Sequence, residues 1–82
     1  MNMIYNSSNY CVVEFAASAE ADTAGFEIMD KQSKRETYLA GSMADGFRRG
    51  VAELIAQQPS MEEIDDFLSQ FDSLMTQPMT LH

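Results

Sequence analysis

The side chains able to do chemistry are few, and four of them stand together: Glu62, Glu63, Asp65 and Asp66. On a helix, Glu62 shares a face with Asp65 and Asp66, as a carboxylate metal site would require. They lack the spacing of a calcium loop, however, and isolated carboxylates bind divalent ions weakly. Acids in a first helical turn gain ~0.3–1 kcal/mol each from the positive helix end, more than the ~0.2–0.5 kcal/mol of like-charge repulsion at i,i+4. The expected role is a solvated, helix-starting face, with no metal. Nucleophilic chemistry fares no better. His82 is the only histidine and Cys11 the only cysteine, and Ser7, Ser8, Ser33 and Ser42 have no base assigned near them. A nucleophile needs an oriented base within hydrogen-bond reach, and zinc needs three or four suitable ligands. Cys11, in mid-strand, reads as a small buried hydrophobe. Gly25, Gly41, Gly46 and Gly50 have the wrong spacing for a nucleotide fingerprint. The expectation is a protein that is not an enzyme, with no catalytic residue and no cofactor.

Arg48 and Arg49 are adjacent and would suit a phosphate or carboxylate clamp. Asp45 precedes them by three and four residues and Glu53 follows Arg49 by four, so surface ion pairs are the better account. Gly46 and Gly50 are harder to set aside, because each costs ~0.8–1 kcal/mol relative to Ala inside a helix. With Ser42 they form a strip of small residues that something must approach closely: the sheet or second helix of the same chain, a second subunit, or a ligand. Tyr5, Tyr10, Val12, Met29 and Tyr38, with some of the seven methionines, would furnish an apolar outer sheet face that is either half-exposed or a dimer contact. The possible interface residues are therefore Gly46, Gly50, Arg48, Arg49, Tyr5, Tyr10 and Tyr38.

Charge is sorted along the chain. All five bases (Lys31, Lys34, Arg35, Arg48, Arg49) lie between positions 31 and 49, flanked by blocks holding acids and no base, for a formal net charge of −8. Such a surface repels nucleic acid and anionic lipid heads and favours cationic partners. At 82 residues and 45% apolar content, the chain reads as one domain near the size at which folding buries only about 60% of the unfolded surface. No stretch approaches the ~20 apolar residues of a spanning helix, and none has the pattern of a cleaved leader. A cytoplasmic setting is expected.

The elements that must position these residues change character midway. Met3–Tyr5 and Tyr10–Phe15, across the turn-forming Asn6–Asn9, predict one hairpin, and Phe26–Met29 with Arg35–Leu39 a second. Residues 17–24 are read as a loop. From Gly41 the apolar period becomes ~3.6. Ser42 with Asp45 predicts a capping box, and Met43, Phe47, Val51, Leu54 and Ile55 a stripe running to about Gln58. After Pro59, Ser60 and Glu63 form a second capping box. Ile64, Phe67, Leu68, Phe71, Leu74 and Met75 then predict a second helix ending before Gln77–Pro78. The result is a single α+β domain over 1–82: a four-stranded antiparallel sheet (1–40), two helices packed on one face (41–76) and a tail (77–82), or ββββαα.

The segments MNMIYNSSNYCVVEF, GFEIMDK, RETYL, GFRRGV, QPSMEEIDDFL and DSLMTQPMTLH resemble a small betaproteobacterial family known only as a domain of unknown function. The resemblance covers nearly the whole chain and implies a cytoplasmic bacterial protein, with no activity, substrate or catalytic residue. The functional expectation is a non-enzymatic module that self-associates, as a homodimer, or binds another protein, without nucleic acid or membrane. One alternative is a nucleic-acid-linked regulator using the basic island 31–49, although its second helix would bring acids towards phosphates. Another is an acidic decoy that mimics DNA.

Overall fold

A computed structural model describes residues 2–15, 25–75 and 77–78. Strands β1 (Asn2–Asn6), β2 (Tyr10–Phe15), β3 (Gly25–Asp30) and β4 (Arg35–Ala40) form an antiparallel sheet in chain order, followed by α1 (Gly41–Ala56) and α2 (Met61–Ser69). A 3₁₀ turn spans Asp72–Leu74, and Gln77–Pro78 adds a two-residue strand, β5, against β4. The expected ββββαα order is therefore present, with a small fifth strand where a tail was read. The expected loop at 17–24 and residues 79–82, including His82, lie outside the described residues.

Strand alternation divides the sheet. Tyr10 and Val12 of β2, Phe26 and Ile28 of β3 and Leu39 of β4 pack with Ala44 and Phe47 of α1, Leu68 of α2, and Met75 in one buried cluster. Phe47 lies at its centre, 4.9 Å from the Phe26 ring and 5.4 Å from that of Phe71. Cys11, Val13 and Met29 point the other way and form a second buried cluster with Phe15 against it. Two acids on that second face, Glu27 and Glu36, are also buried. The side chain of Tyr38 lies over Gly25, where an added Cβ would stand 2.5 Å from the tyrosine Oη and 2.6 Å from the Leu39 carbonyl oxygen. Glycine is the residue that fits beneath that ring.

The two faces correct one expectation. Tyr5, Tyr10 and Val12 turn towards the helices, so of the five residues named by number for an outer apolar face only Met29 and Tyr38 lie there. The pleat requires this: Tyr10 and Val12 share a parity that Cys11 and Val13 oppose.

The helix ends also differ from the expectation. β4 runs directly into α1 because Gly41 adopts φ +60, a left-handed conformation that glycine takes without penalty. Ala40 then occupies the N-cap with no side-chain bond, so Ser42 falls inside the first turn, Asp45 falls beyond it, and the two form no capping box. Met43 (52% exposed) and Ile55 (54%) lie at the margins of the stripe. At the other end Gln58 has φ +52 and its N–H donates to the Ile55 carbonyl at 3.0 Å, an αL-type stop. α2 opens as expected, with Ser60 Oγ accepting from Glu63 N–H at 3.2 Å. It ends at Ser69, short of the predicted limit, and the chain turns through the 3₁₀ segment to bury Met75 while Leu74 is 41% exposed.

Candidate functional site

The first hairpin and α2 are joined by a polar hub. In the turn Asn6–Asn9, the buried Ser7 Oγ accepts from the N–H groups of Asn9 and Tyr10 and donates to Asp65 Oδ1 at 2.9 Å. The same carboxylate accepts from Tyr5 Oη at 2.8 Å and from Asn9 Nδ2 at 3.0 Å. Burial pushes the Asp65 carboxyl up, but hydrogen bonds from Asn9, Tyr5 and Ser7 outweigh it and hold the group below its ordinary range. Tyr5 is shifted up in return, by burial and then by its bond to Asp65. Beside the hub, Tyr10 Oη donates to Asp72 at 3.0 Å; burial and then this bond raise the phenol well above its usual value. Lys31 Nζ donates to Asn6 Oδ1 and to the Ser7 carbonyl, tying the second hairpin to the first turn.

Chemically the hub is an acceptor with about three of its four sites filled. A carboxylate already bound by three donors and held ionised is a poor general base. The adjoining hollow, about 330 Å³, is bordered by Asn9, Asp30, Asp65 and Asp66. Among the described residues no group of three or more His, Cys, Asp or Glu is placed to hold a metal ion. Cys11 is 5% exposed, and burial pushes its thiol up, away from the thiolate that would react.

A different opening lies beside β1, at one edge of the sheet. Met3 pairs with Val13 but Tyr5 with Val12, so two steps along β1 match one along β2 and Ile4 is the extra residue of a bulge. A bulge re-aims a side chain. Here it carries Ile4 to the helix side, although 44% of it stays exposed. An apolar cavity of about 70 Å³ opens there, lined by Ile4, Val12, Val51, Ile55, Ile64 and Phe67 among others. On the other flank of Ile4 a shallower hollow of about 280 Å³ is bounded by Glu14, Phe26, Arg48 and Ala52. Arg48 stacks 5.0 Å above the Phe26 ring, 3.3 Å from Asp45 and 4.0 Å from Glu14, with side chains of Arg48 and Glu14 47% and 39% exposed. Ile4 and Val51 line both openings, so the mouth they frame is apolar on one flank and carries a base and an acid on the other.

The interface candidates scatter. Arg48 borders the mouth, and Tyr5 contributes to its lining. Arg49 is exposed on α1. Tyr10 belongs to the core and Tyr38 to the opposite face. The two helix glycines part company. An added Cβ at Gly50 would stand 3.0 Å from the Phe67 ring, so the close approach is α2 of the same chain. At Gly46 nothing among the described residues lies within 4 Å, so no contact of that kind explains it. The basic island also splits: Arg35 pairs opposite Asp30 at one end of β3, while Arg48 covers Phe26 near the other, roughly 13 Å away at ~3.3 Å per residue. Sequence reasoning missed two participants. Asp65 was read as solvated because helical spacing alone cannot show a hairpin beneath it. Ile4 was read as an ordinary strand residue, and nothing in its spacing signals the bulge.

A family described as "Protein of unknown function (DUF3567)" matches the chain over residues 1–82. Protein BTH_I0359 of Burkholderia thailandensis is 52% identical over 85 residues, covering the whole of both chains. No solved structure matches.

Proposed function

This chain belongs to the DUF3567 family, and from that premise we propose that it acts as a non-enzymatic module that binds protein, whether a second copy of itself or another chain. The observation that carries this reading is the apolar mouth beside β1. Half-exposed aliphatic side chains around an open apolar cavity represent unclaimed burial, at ~25 cal/mol per Å² of apolar surface. The polar hub supports the reading, because Asp65 is already engaged by Tyr5, Ser7 and Asn9 and is ill suited to act as a general base. Separation of the two basic clusters speaks against a nucleic-acid partner, because neither loop nor helix alone offers a continuous cationic stripe. No helix among the described residues is long and apolar enough to cross a membrane. The buried, unpaired Cys11 suits a bacterial cytoplasm.

A photoreactive amino acid in place of Ile55 tests the reading in cells. The expected result is a covalent adduct with a protein that disappears when Ile4→Glu is added. Yields no higher than from the same probe at Ser33, in the β3–β4 turn, would overturn it.

A further inference from the structure

We infer that the mouth beside β1 docks a second copy of this chain across a two-fold axis near Ile4, with Arg48 of each copy meeting Glu14 of the other. The inference rests on the reading of the protein as an interaction module and names its partner. A two-fold contact sets one surface against itself, so the surface must be complementary to itself. The outer face of α2 fails that test. The outward positions of α2 hold Glu62, Glu63 and Asp66, all exposed, and no base follows Arg49, so copies meeting there repel. The edge of the mouth meets it. Arg48 Nη1 donates to Asp45 of its own helix at 3.3 Å, while its Nη2 stands 4.0 Å from Glu14, the two side chains 47% and 39% exposed, a loose contact that can be exchanged between copies. Across a two-fold axis each base faces the other copy's acid, giving two attractive contacts.

The apolar part is symmetric too. β1 reads Asn2-Met3-Ile4-Tyr5-Asn6, polar at both ends and apolar between, so an antiparallel approach centred on Ile4 matches like with like. Ile4 (44% exposed) and Ile55 (54%) are knobs beside the cavity of about 70 Å³ that they line, and each copy supplies both knob and hole. The bulge at Ile4 interrupts the outer edge of the strand, so side chains make the contact and the sheet is not continued.

The test uses the full chain and two charge reversals. In size-exclusion chromatography with light scattering, the wild type should run at twice the 9.2 kDa chain mass. Arg48→Glu and Glu14→Arg should each weaken the dimer by about tenfold or more, because each homodimer then sets like charges together. An equimolar mixture of the two variants should recover the dimer, since one then carries acids at both positions and the other bases at both. That recovery cannot come from misfolding, and circular dichroism of each variant checks the fold directly. Ile4→Glu should give a monomer that no mixing rescues. A wild-type chain that remains monomeric at millimolar concentration overturns self-docking. An adduct between Ile55 and a different protein would then leave the interaction-module reading standing. A wild-type dimer whose two charge variants fail to pair overturns the two-fold geometry.

Discussion

Replacing Asp65 by Ala removes the acceptor shared by Tyr5, Ser7 and Asn9, the main polar tie between α2 and the first hairpin. Hydrogen bonds to a charged group contribute about 1.5–3 kcal/mol each, although three on one carboxylate do not add. Tyr5 and Asn9 are partly exposed and can return to water. Ser7 is only 7% exposed, but its hydroxyl can turn towards the Tyr10 carbonyl at 3.5 Å. The net loss should be about 2–4 kcal/mol, a large part of the roughly 4–12 kcal/mol expected for a domain of this size. Asp65→Asn keeps one acceptor and should lose about half as much. Urea unfolding followed by far-UV circular dichroism and tyrosine fluorescence reads both, since the chain has no Trp. The exposed neighbour Asp66→Ala is the control and should stay within about 0.5 kcal/mol of wild type. The pH dependence gives a second readout. The folded pKa of Asp65 lies below its unfolded value, so its contribution is complete above the unfolded pKa of about 3.9 and is lost as pH falls through the folded value. The gap between wild type and Asp65→Asn should therefore be constant from about pH 6 to 8 and shrink below about pH 4. An Asp65→Ala loss no larger than that of Asp66→Ala, or a gap that persists in acid, would refute the reasoning.

Gly46→Ala should stabilise the chain by about 0.8–1 kcal/mol, seen as a rise in Tm, because an added methyl meets nothing within 4 Å among the described residues. Gly50→Ala should gain nothing or lose stability in the same melt, its methyl standing 3.0 Å from the Phe67 ring. Gln58→Gly relieves a left-handed residue at φ +52 and should raise the urea midpoint by the equivalent of about 1 kcal/mol. Cys11, buried and with its thiol shifted up by that burial, should react with a disulfide reagent only as fast as the protein opens. A prompt stoichiometric reaction in native buffer would contradict its placement.

Much of the fold was legible because it rests on local rules. The turn at Asn6–Asn9, the alternation in Tyr10–Phe15 and the capping box at Ser60 and Glu63 each depend on residues a few positions apart. What failed were features whose partners lie far along the chain. Asp65 satisfies every local criterion for a solvated helix acid, yet a hairpin some 60 residues earlier claims its carboxylate. Ser42 and Asp45 have the spacing of a cap, but the left-handed Gly41 starts the helix before them. Leu74 and Met75 continue an apolar period through a segment where the backbone has already left the helix. Of the candidate site, Arg48 was legible as a charged helix residue and Ile4 was not, since the bulge is a property of two strands in register.

The sequence by itself determined the class of the protein: periods of two and then 3.6, turn residues and caps act over a few bonds and need no tertiary partner. It also determined the sorted charge, and so which partners the surface repels. Tertiary structure alone decided that the basic island is two separate clusters, that Gly50 is filled by Phe67 while Gly46 stays open, and that Ile4, Ile55, Arg48 and Glu14 share one mouth. These are statements about distances between residues remote in the chain. Such distances are set by which strand faces meet which helices and by one extra residue in β1, and no local pattern encodes them.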